Sequence, residues 1–441
     1  MIGDFASDRF ILLDWPVGTT ALTWYVRPGG DDDNDGTTAL TAFATLGRAL
    51  REVSLYASNR PTIIDITGMT ISANELLQLG GGALGSTINT FNTPVPPLFA
   101  NRRQVQIIAT PTVAKALTVT SQTADGITNL TALTVSTALA ANELDDTILV
   151  DASGNYGAVH AYTTGAGPNT VYVASTATFD AATTAYVPGA SLAYGDAAQG
   201  LDGAIYLTAL ADWYFEWVSF ASVDDAKPCA MTVWAHQPVT FFGCVLNGLQ
   251  VEAAPAAVSL FGSVIRNGSL VLNGGVQAQR CNLRSLGTVT CRDGRVAGNA
   301  SFDQVGFTAC AALGGGSSTS RFNCEVTQCQ FDAATTYAIR CLAGNWNIAN
   351  TRIDDSGASA VYVKGAHVEM SAVAGTGNAD WGVEAAWDCS VDTDSLTSVT
   401  GTFGGDVSLG SAGSIAWVSF PPTLPLTDGE QLVRVFHQGG I

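Results

Sequence analysis

A chain of 441 residues, 47% apolar and only 13% charged, has material for a large core and more than one domain, which excludes a disordered chain. Its net charge of −19 excludes a nucleic-acid partner and disfavours an anionic membrane, because phosphate binding needs clustered Lys and Arg. No run of 18 apolar residues predicts a membrane span, and Met1 to Arg9 lacks the basic start and apolar core of a secretory signal.

Residues 1–22 are expected as an N-terminal arm whose Phe10 to Leu13 and Trp15-Pro16 can pack on a partner or on the body. From residue 23 to 109 the chain reads as a cap helix and the first strands of a repeating structure. Trp24 to Val26 is a strand and Asp31 to Gly36 a turn. Phe43, Leu46, Ala49, Leu50 and Val53 fall on one helical face. Asp31, Asp33 and Asp35 also match the first half of a calcium loop, although Ala42 stands where such a loop has its bidentate Glu. Calcium at these three residues is the single cofactor considered; otherwise none is expected. The other reading is a solvated turn whose carboxylates suit the start of the helix. Pro61 to Gly68 and Gln104 to Ala109 read as strands of early repeats.

Residues 110–198 follow a different pattern. Strands at Leu117 to Thr120, Thr147 to Asp151, Tyr156 to Tyr162 and Thr170 to Ala174, separated by Ala-, Thr- and Gly-rich turns, predict a small inserted all-β domain.

Residues 199–420 carry the organising feature. A signature of apolar, x, apolar, x, x, small or apolar, x, apolar recurs eight times, with second members Phe215, Phe241, Leu260, Ala278, Phe302, Val326, Ile348 and Met370. Their spacings are 26, 19, 18, 24, 24, 22 and 22 residues. Alternation of this kind is a half-buried strand, and the two-residue gap before the third member is a bend. A further alternating strand often follows, as at Leu270/Leu272, Val289/Cys291, Ile339/Cys341 and Val361/Val363. One period is too short to bury its own apolar side, so periods must stack, each strand about 4.8 Å from its counterpart. The expected fold is all-β: a parallel β-helix solenoid with an N-terminal capping helix and the insert. Cys244, Cys281 and Cys329 share one inward place and are expected as reduced core thiols. Pro421 opens a stiff C-terminal tail, 421–441.

The run from Thr23-Trp-Tyr-Val through Gly30-Asp-Asp-Asp-Asn-Asp-Gly36 to Ala42-Phe-Ala-Thr-Leu-Gly-Arg-Ala-Leu50 resembles the opening of right-handed parallel β-helix proteins of the pectate-lyase-like kind. That opening is frequent in phage tailspikes and other tail-associated proteins. The resemblance implies a helix that covers the first strand edge, and, for a tailspike, a homotrimer. It says little about activity, since such proteins include lyases, hydrolases, epimerases and non-catalytic spikes.

Sequence motifs for nucleotide, hydride-transfer or metalloprotease chemistry are missing, and the four His (160, 236, 367, 437) lack metal spacing. What remains is carbohydrate chemistry by paired carboxylates. Asp332 and Asp354 occupy equivalent outward places one period apart, about 5 Å when stacked, near the spacing of a retaining glycosidase pair. Asp355 sits beside them, and Glu325 and Glu369 flank Asn347 about 9.6 Å apart. A solvated acidic face explains the same residues. Trp217, Trp234 and Trp381, outside the inward places, are the candidate glycan-binding residues, as sugar platforms or as packing against further copies of the chain.

Three functions follow as expectations. The first is a structural virion component, a tailspike or tail-fibre-like protein of a phage or phage-derived particle, assembled in a host cytoplasm. Its partners would be copies of itself, other tail or baseplate proteins and a cell-surface polysaccharide. The second is a polysaccharide-degrading enzyme, a glycoside hydrolase or lyase. The third is a bacterial surface adhesin, against which the absence of an export signal counts.

Overall fold

The structure is a computed structural model that describes residues 21–55, 62–71, 88–91, 103–124, 130–175, 177–193, 204–207, 211–221, 231–235, 239–247, 249–250, 258–266, 270–296, 301–309, 323–327, 329–332, 334, 336–342, 344–385, 389–393, 398–401, 407–409 and 416–419. The expected arm, apart from residues 21 and 22, and the whole expected tail lie outside the described residues. Among the described residues there is one helix, Leu46–Leu55; nearly all other regular structure is strand.

The strands pair as parallel ladders, each strand with its counterpart from the next repeat. The first ladder runs through Leu22–Tyr25, Thr62–Asp65, Arg103–Ile108, Ala211–Glu216, Val239–Phe242 and Val258–Phe261. It continues through Gly344–Ala349 and Ala366–Ser371 to Ala416–Ser419. One of its inward columns is Trp24, Ile64, Ile107, Phe215, Phe241, Leu260 and Ala278, all buried. Register partners Phe215 and Phe241 stack with ring centroids 5.3 Å apart at 13°. Strand alternation therefore does what the pleat requires: one face supplies the core, the other the surface.

A second ladder contains Ala190–Ala193, Val218–Ala221, Val245–Asn247, Val264–Arg266, Gln330–Asp332 and Arg352–Asp354. One column of its register partners is Leu192, Phe220, Leu246, Ile265, Leu283, Phe302, Phe331 and Ile353. A third ladder runs through Ile339–Cys341, Val361–Val363, Val383–Ala385 and Val407–Leu409.

The bend between the first and second ladders has its own chemistry. Trp217, Gly243, Gly262, Arg280, Asn350 and Ala372 all occupy the left-handed region, with φ of 55, 61, 52, 55, 48 and 51°. Each directly precedes the third member of the signature. That member turns back on the bend: Ser263 Oγ donates to Phe261 O at 3.0 Å, Cys281 Sγ to Gln279 O at 3.1 Å and Thr351 Oγ1 to Ala349 O at 3.0 Å. The amides of the bend residues continue the ladder, as in Gly243 N to Phe261 O and Gly262 N to Gln279 O, both 3.0 Å. The small side chain's S–H or O–H thus adds a second donor to carbonyls such as Phe261 O and Gln279 O, which already accept a ladder amide on their other lone pair.

One part of the repeat assignment is corrected. Phe302 belongs to the second ladder, between Leu283 and Phe331, and Phe307 to the third, between Val289 and Ile339. The first-ladder residue of that repeat is Val296, partnered by Ala278 and Val326. Every ladder has the same x-apolar-x-apolar alternation, so a strand of one imitates a strand of another wherever the repeat shortens or lengthens.

A six-stranded closed antiparallel barrel lies within the stretch expected as an insert. Its strands are Thr112–Ala124, Thr131–Val135, Ile148–Asp151, Tyr156–Tyr162, Asn169–Val173 and Ala182–Val187. It has a separate core that includes Leu117, Leu133, Leu144, Leu149, Val171 and Phe179. The chain leaves the first ladder at Ile108 and joins the second at Ala190. The barrel seats against the ladders through Ala158 N to Arg280 O (3.1 Å), Asn282 Nδ2 to Val159 O (2.8 Å) and the Arg266–Asp146 ion pair (3.3 Å). Buried Ala158, Val245 and Val264 close the seam.

The helix begins at Leu46, so Phe43, expected on its face, precedes it as a bridge partner of Val26, and the Val53 side chain lies outside the described residues. Phe43, Leu46, Ala49 and Leu50 are buried in the same core as Trp24 and Ile64. Asp32 caps the entry, accepting from Ala44 N and Thr45 N at 2.9 Å and from Thr45 Oγ1 at 2.7 Å.

Candidate functional site

The second ladder carries a line of charged residues in register. Arg266, Arg284, Asp303, Asp332 and Asp354 are successive register partners. Asp332 and Asp354, expected to meet, are brought to adjacent strands, about 4.8 Å apart at the backbone. Asp303 completes a row of three carboxylate residues; it escaped the sequence reading because its strand was assigned to the wrong ladder. Asp354 is engaged on both oxygens: Arg352 Nε bonds Oδ2, and Thr376 N donates to Oδ1 at 2.9 Å. A carboxylate held on both sides is built to close a bend and is poorly placed to attack a substrate.

The three candidate tryptophans part company. Trp217 is only 6% exposed. Its backbone is the αL bend of its repeat, which turns the side chain out of the first ladder's core and into the seam. There Tyr186 of the barrel lies 5.9 Å from its ring and Phe242 6.1 Å. The expectation of an exposed sugar platform at Trp217 is therefore corrected: the side chain is buried between the barrel's Tyr186 and the first ladder's Phe242. Trp234 lies in Met231–Ala235, and its side chain is outside the described residues. Trp381 is half-buried, and its carbonyl accepts from Ala360 N at 2.9 Å at the entry to Val361–Val363.

That last bond puts Trp381 beside an aromatic patch on the third ladder. Arg340, Tyr362 and Glu384 are successive outward register partners. The rings of Tyr337 and Tyr362 are 4.9 Å apart, with the Arg340 guanidinium 5.9 and 5.4 Å from their centroids. Ser359 Oγ donates to Glu384 Oε2 at 2.8 Å. Burial, and then the Glu384 carboxylate, push the Tyr337 phenol above its usual range. Ring faces, a guanidinium and a carboxylate side by side are what a polyhydroxylated ligand recognises: C–H faces on the rings, hydroxyls on the charged groups. Tyr337 and Tyr362 were missed because the first sits between strands and the second alternates like any outward residue.

The aspartate loop makes local bonds. Asp31 Oδ1 accepts from Asp33 N at 3.0 Å; Asp35 Oδ1 accepts from Thr37 N at 3.0 Å and Thr41 Oγ1 at 2.6 Å. Asp33 is exposed. Among the described residues, no three His, Cys, Asp or Glu side chains gather in a way that could hold a metal ion.

Two ionisable groups on the first ladder are tuned in opposite senses. Burial raises the Asp65 carboxyl, but the Arg27 bonds (3.0 and 2.7 Å) and those from Thr67 outweigh it and leave the group below its usual range. Burial pushes Glu216 above its usual range, with Tyr214 beside it on the same face.

No protein family matches the chain, and no curated protein does. Among solved structures, one described as "Glycoside hydrolase" has a TM-score of 0.29 and 10% identity, covering 88% of this chain and 95% of its own. Another, "The complex structure of XylC with xylose", has a TM-score of 0.21 and 9% identity over 91% of this chain and 76% of its own. Likeness of that degree decides nothing about fold or activity.

Proposed function

We propose that the three ladders are the walls of a right-handed parallel β-helix. On this reading the chain is a tailspike or tail-fibre-like component of a phage or phage-derived particle, contacting a host-surface glycan. The observation that carries it is the unbroken parallel register of the first ladder, from Leu22–Tyr25 to Ala416–Ser419, with a separate barrel let into it. Such a body is a stiff spacer whose outer face is free to vary. The capping helix and aspartate loop resemble the opening of such spikes. The patch of Tyr337, Tyr362, Arg340 and Glu384 beside Trp381 supplies the glycan contact. Copies of the chain, as a homotrimer, and other tail or baseplate proteins are its partners.

Mass spectrometry and imaging of purified particles from the producing cells test this reading. The chain should co-purify with particles at a fixed copy number. Its absence from them, with the chain recovered only in the soluble fraction, would end the virion reading. Tyr362→Ala with Trp381→Ala should weaken adsorption of the chain to host-surface polysaccharide at least several-fold.

A second reading, polysaccharide hydrolysis, is favoured by one observation: Asp332 and Asp354 are adjacent register partners. Assaying depolymerisation with Asp332→Asn and Asp354→Asn decides it. Turnover unchanged in both variants removes this pair, and no turnover by the wild-type chain on any host glycan removes the class.

A further inference from the structure

The barrel carries an open surface cavity of about 310 Å³ lined by Asn142, Leu144, Asp145, His160, Tyr162 and Thr164, of which Asn142, Asp145 and Thr164 are exposed. We propose that this cavity is a binding subsite for one neutral sugar residue of hexopyranose size. The volume stands at the small end of the range that holds an organic ligand, about 300–1,000 Å³, which suits a single ring.

The lining chemistry narrows the ligand. It contains neither Lys nor Arg, and the chain carries a net charge of −19, which together disfavour an anionic ligand. It contains one carboxylate, Asp145, and no group of three metal ligands forms among the described residues. An amide (Asn142), a carboxylate (Asp145), a hydroxyl (Thr164) and a phenol (Tyr162) share the lining, the first three exposed, with Leu144 and Val159 buried in the barrel core behind them. Donors and acceptors beside a phenol ring complement a sugar ring that presents hydroxyls at its edge and C–H bonds on its face.

The site is also stiff. Tyr162 Oη accepts from Leu144 N at 3.2 Å, which fixes the ring. Asn142 stands at φ 62°, a conformation Asn tolerates better than most residues, and this helps set the direction of its amide. Asp146, next to Asp145, is paired to Arg266, and Val159 O is held by Asn282 Nδ2. The turn at Asn142 to Asp146 and the strand Tyr156–Tyr162 are thus both anchored to the ladders, and preorganised groups bind at lower entropic cost.

The inference deepens the glycan reading by adding a second contact, and it rests on that reading only for where the sugar comes from. Saturation-transfer NMR on the full chain with D-glucose, D-galactose and N-acetyl-D-glucosamine, each at millimolar concentration, tests it. At least one sugar should receive saturation. The signal should fall several-fold in Asn142→Gly/Asp145→Ala, and again in the separate variant Thr164→Val, with urea midpoints unchanged. Trp381→Ala should leave it intact. No transfer to any of the three, or equal transfer in wild type and the double variant, overturns the subsite. Loss in Trp381→Ala alone moves the sugar to the third-ladder patch, which overturns this inference while leaving the glycan reading in place.

Discussion

Gly262 sits directly beneath Tyr156: a Cβ built on this glycine would lie 2.7 Å from the tyrosine ring. One residue thus serves two structures. Its φ of 52° turns the chain from the first ladder into the second, and its missing side chain lets the barrel approach. Arg280, one repeat on, covers the same tyrosine at 4.6 Å. Gly262→Ala should therefore cost more than the about 1–2 kcal/mol of a left-handed alanine. Gly29→Ala, with φ of 78° and open space around the added methyl, should cost only that conformational share. Urea unfolding of the two variants measures the difference, and equal losses would contradict the seam.

Asp354 is read as a bend-closing residue. Its Arg352 partner is 30% exposed, so solvent screens the ion pair and its worth is about 0.5–1 kcal/mol. Arg352→Ala and Asp354→Asn should each destabilise by about that amount, and the double variant by clearly less than the sum. Full additivity in denaturant titrations would show that the pair does not act together.

Asp65 and Glu216 give stability opposite dependences on pH. Asp65 is held below its usual range when folded, so its contribution is present above the unfolded value of about 3.9 and is lost as pH falls through the lower folded value. Glu216 is raised when folded, so its contribution is present below about 4.3 and is lost as pH rises through the higher folded value. Asp65→Asn should lower stability at neutral pH, by about 1–3 kcal/mol given the bonds left unmade at Arg27, with the gap closing in acid. Glu216→Gln should flatten the decline on the alkaline side of pH 4.3. Midpoints measured from pH 3 to pH 8 check both signs.

Cys244 and Cys281 are buried thiols, each pushed up to about 12 by desolvation. Only a thiolate reacts with disulfide reagents. Both should be silent to such a reagent in the native chain and react at once in denaturant, with peptide mapping to assign them. Labelling of Cys244 under native conditions would mean that the corner opens.

The sequence displayed the strand period, the bend and the helix face, because all three are local patterns imposed by burial. It could not show which ladder a strand joins when the repeat changes length. Ala278 to Val296 is 18 residues and Val296 to Val326 is 30, so Phe302 fits a first-ladder signature while its strand pairs in the second. Site residues failed for a related reason. Trp217 lies off the inward columns, as expected, but what covers it comes from residue 186, far along the chain. The Tyr337–Tyr362 patch and the barrel cavity are built from separate segments meeting in space, and alternation within one segment carries no trace of them.

Residues one repeat apart are parallel neighbours, and pairs of engineered cysteines can read that spacing in solution. Asn347 and Glu369 are exposed register partners, while Asn347 and Asp392 are separated by one strand. Parallel neighbours stand about 4.8 Å apart and second neighbours about 9.6 Å, against a disulfide limit of about 7 Å between Cα atoms. Mild oxidation should link Asn347→Cys/Glu369→Cys in the native chain and leave Asn347→Cys/Asp392→Cys reduced. Crosslinking of the second pair, or of neither, would contradict the ladders on which every reading here is built.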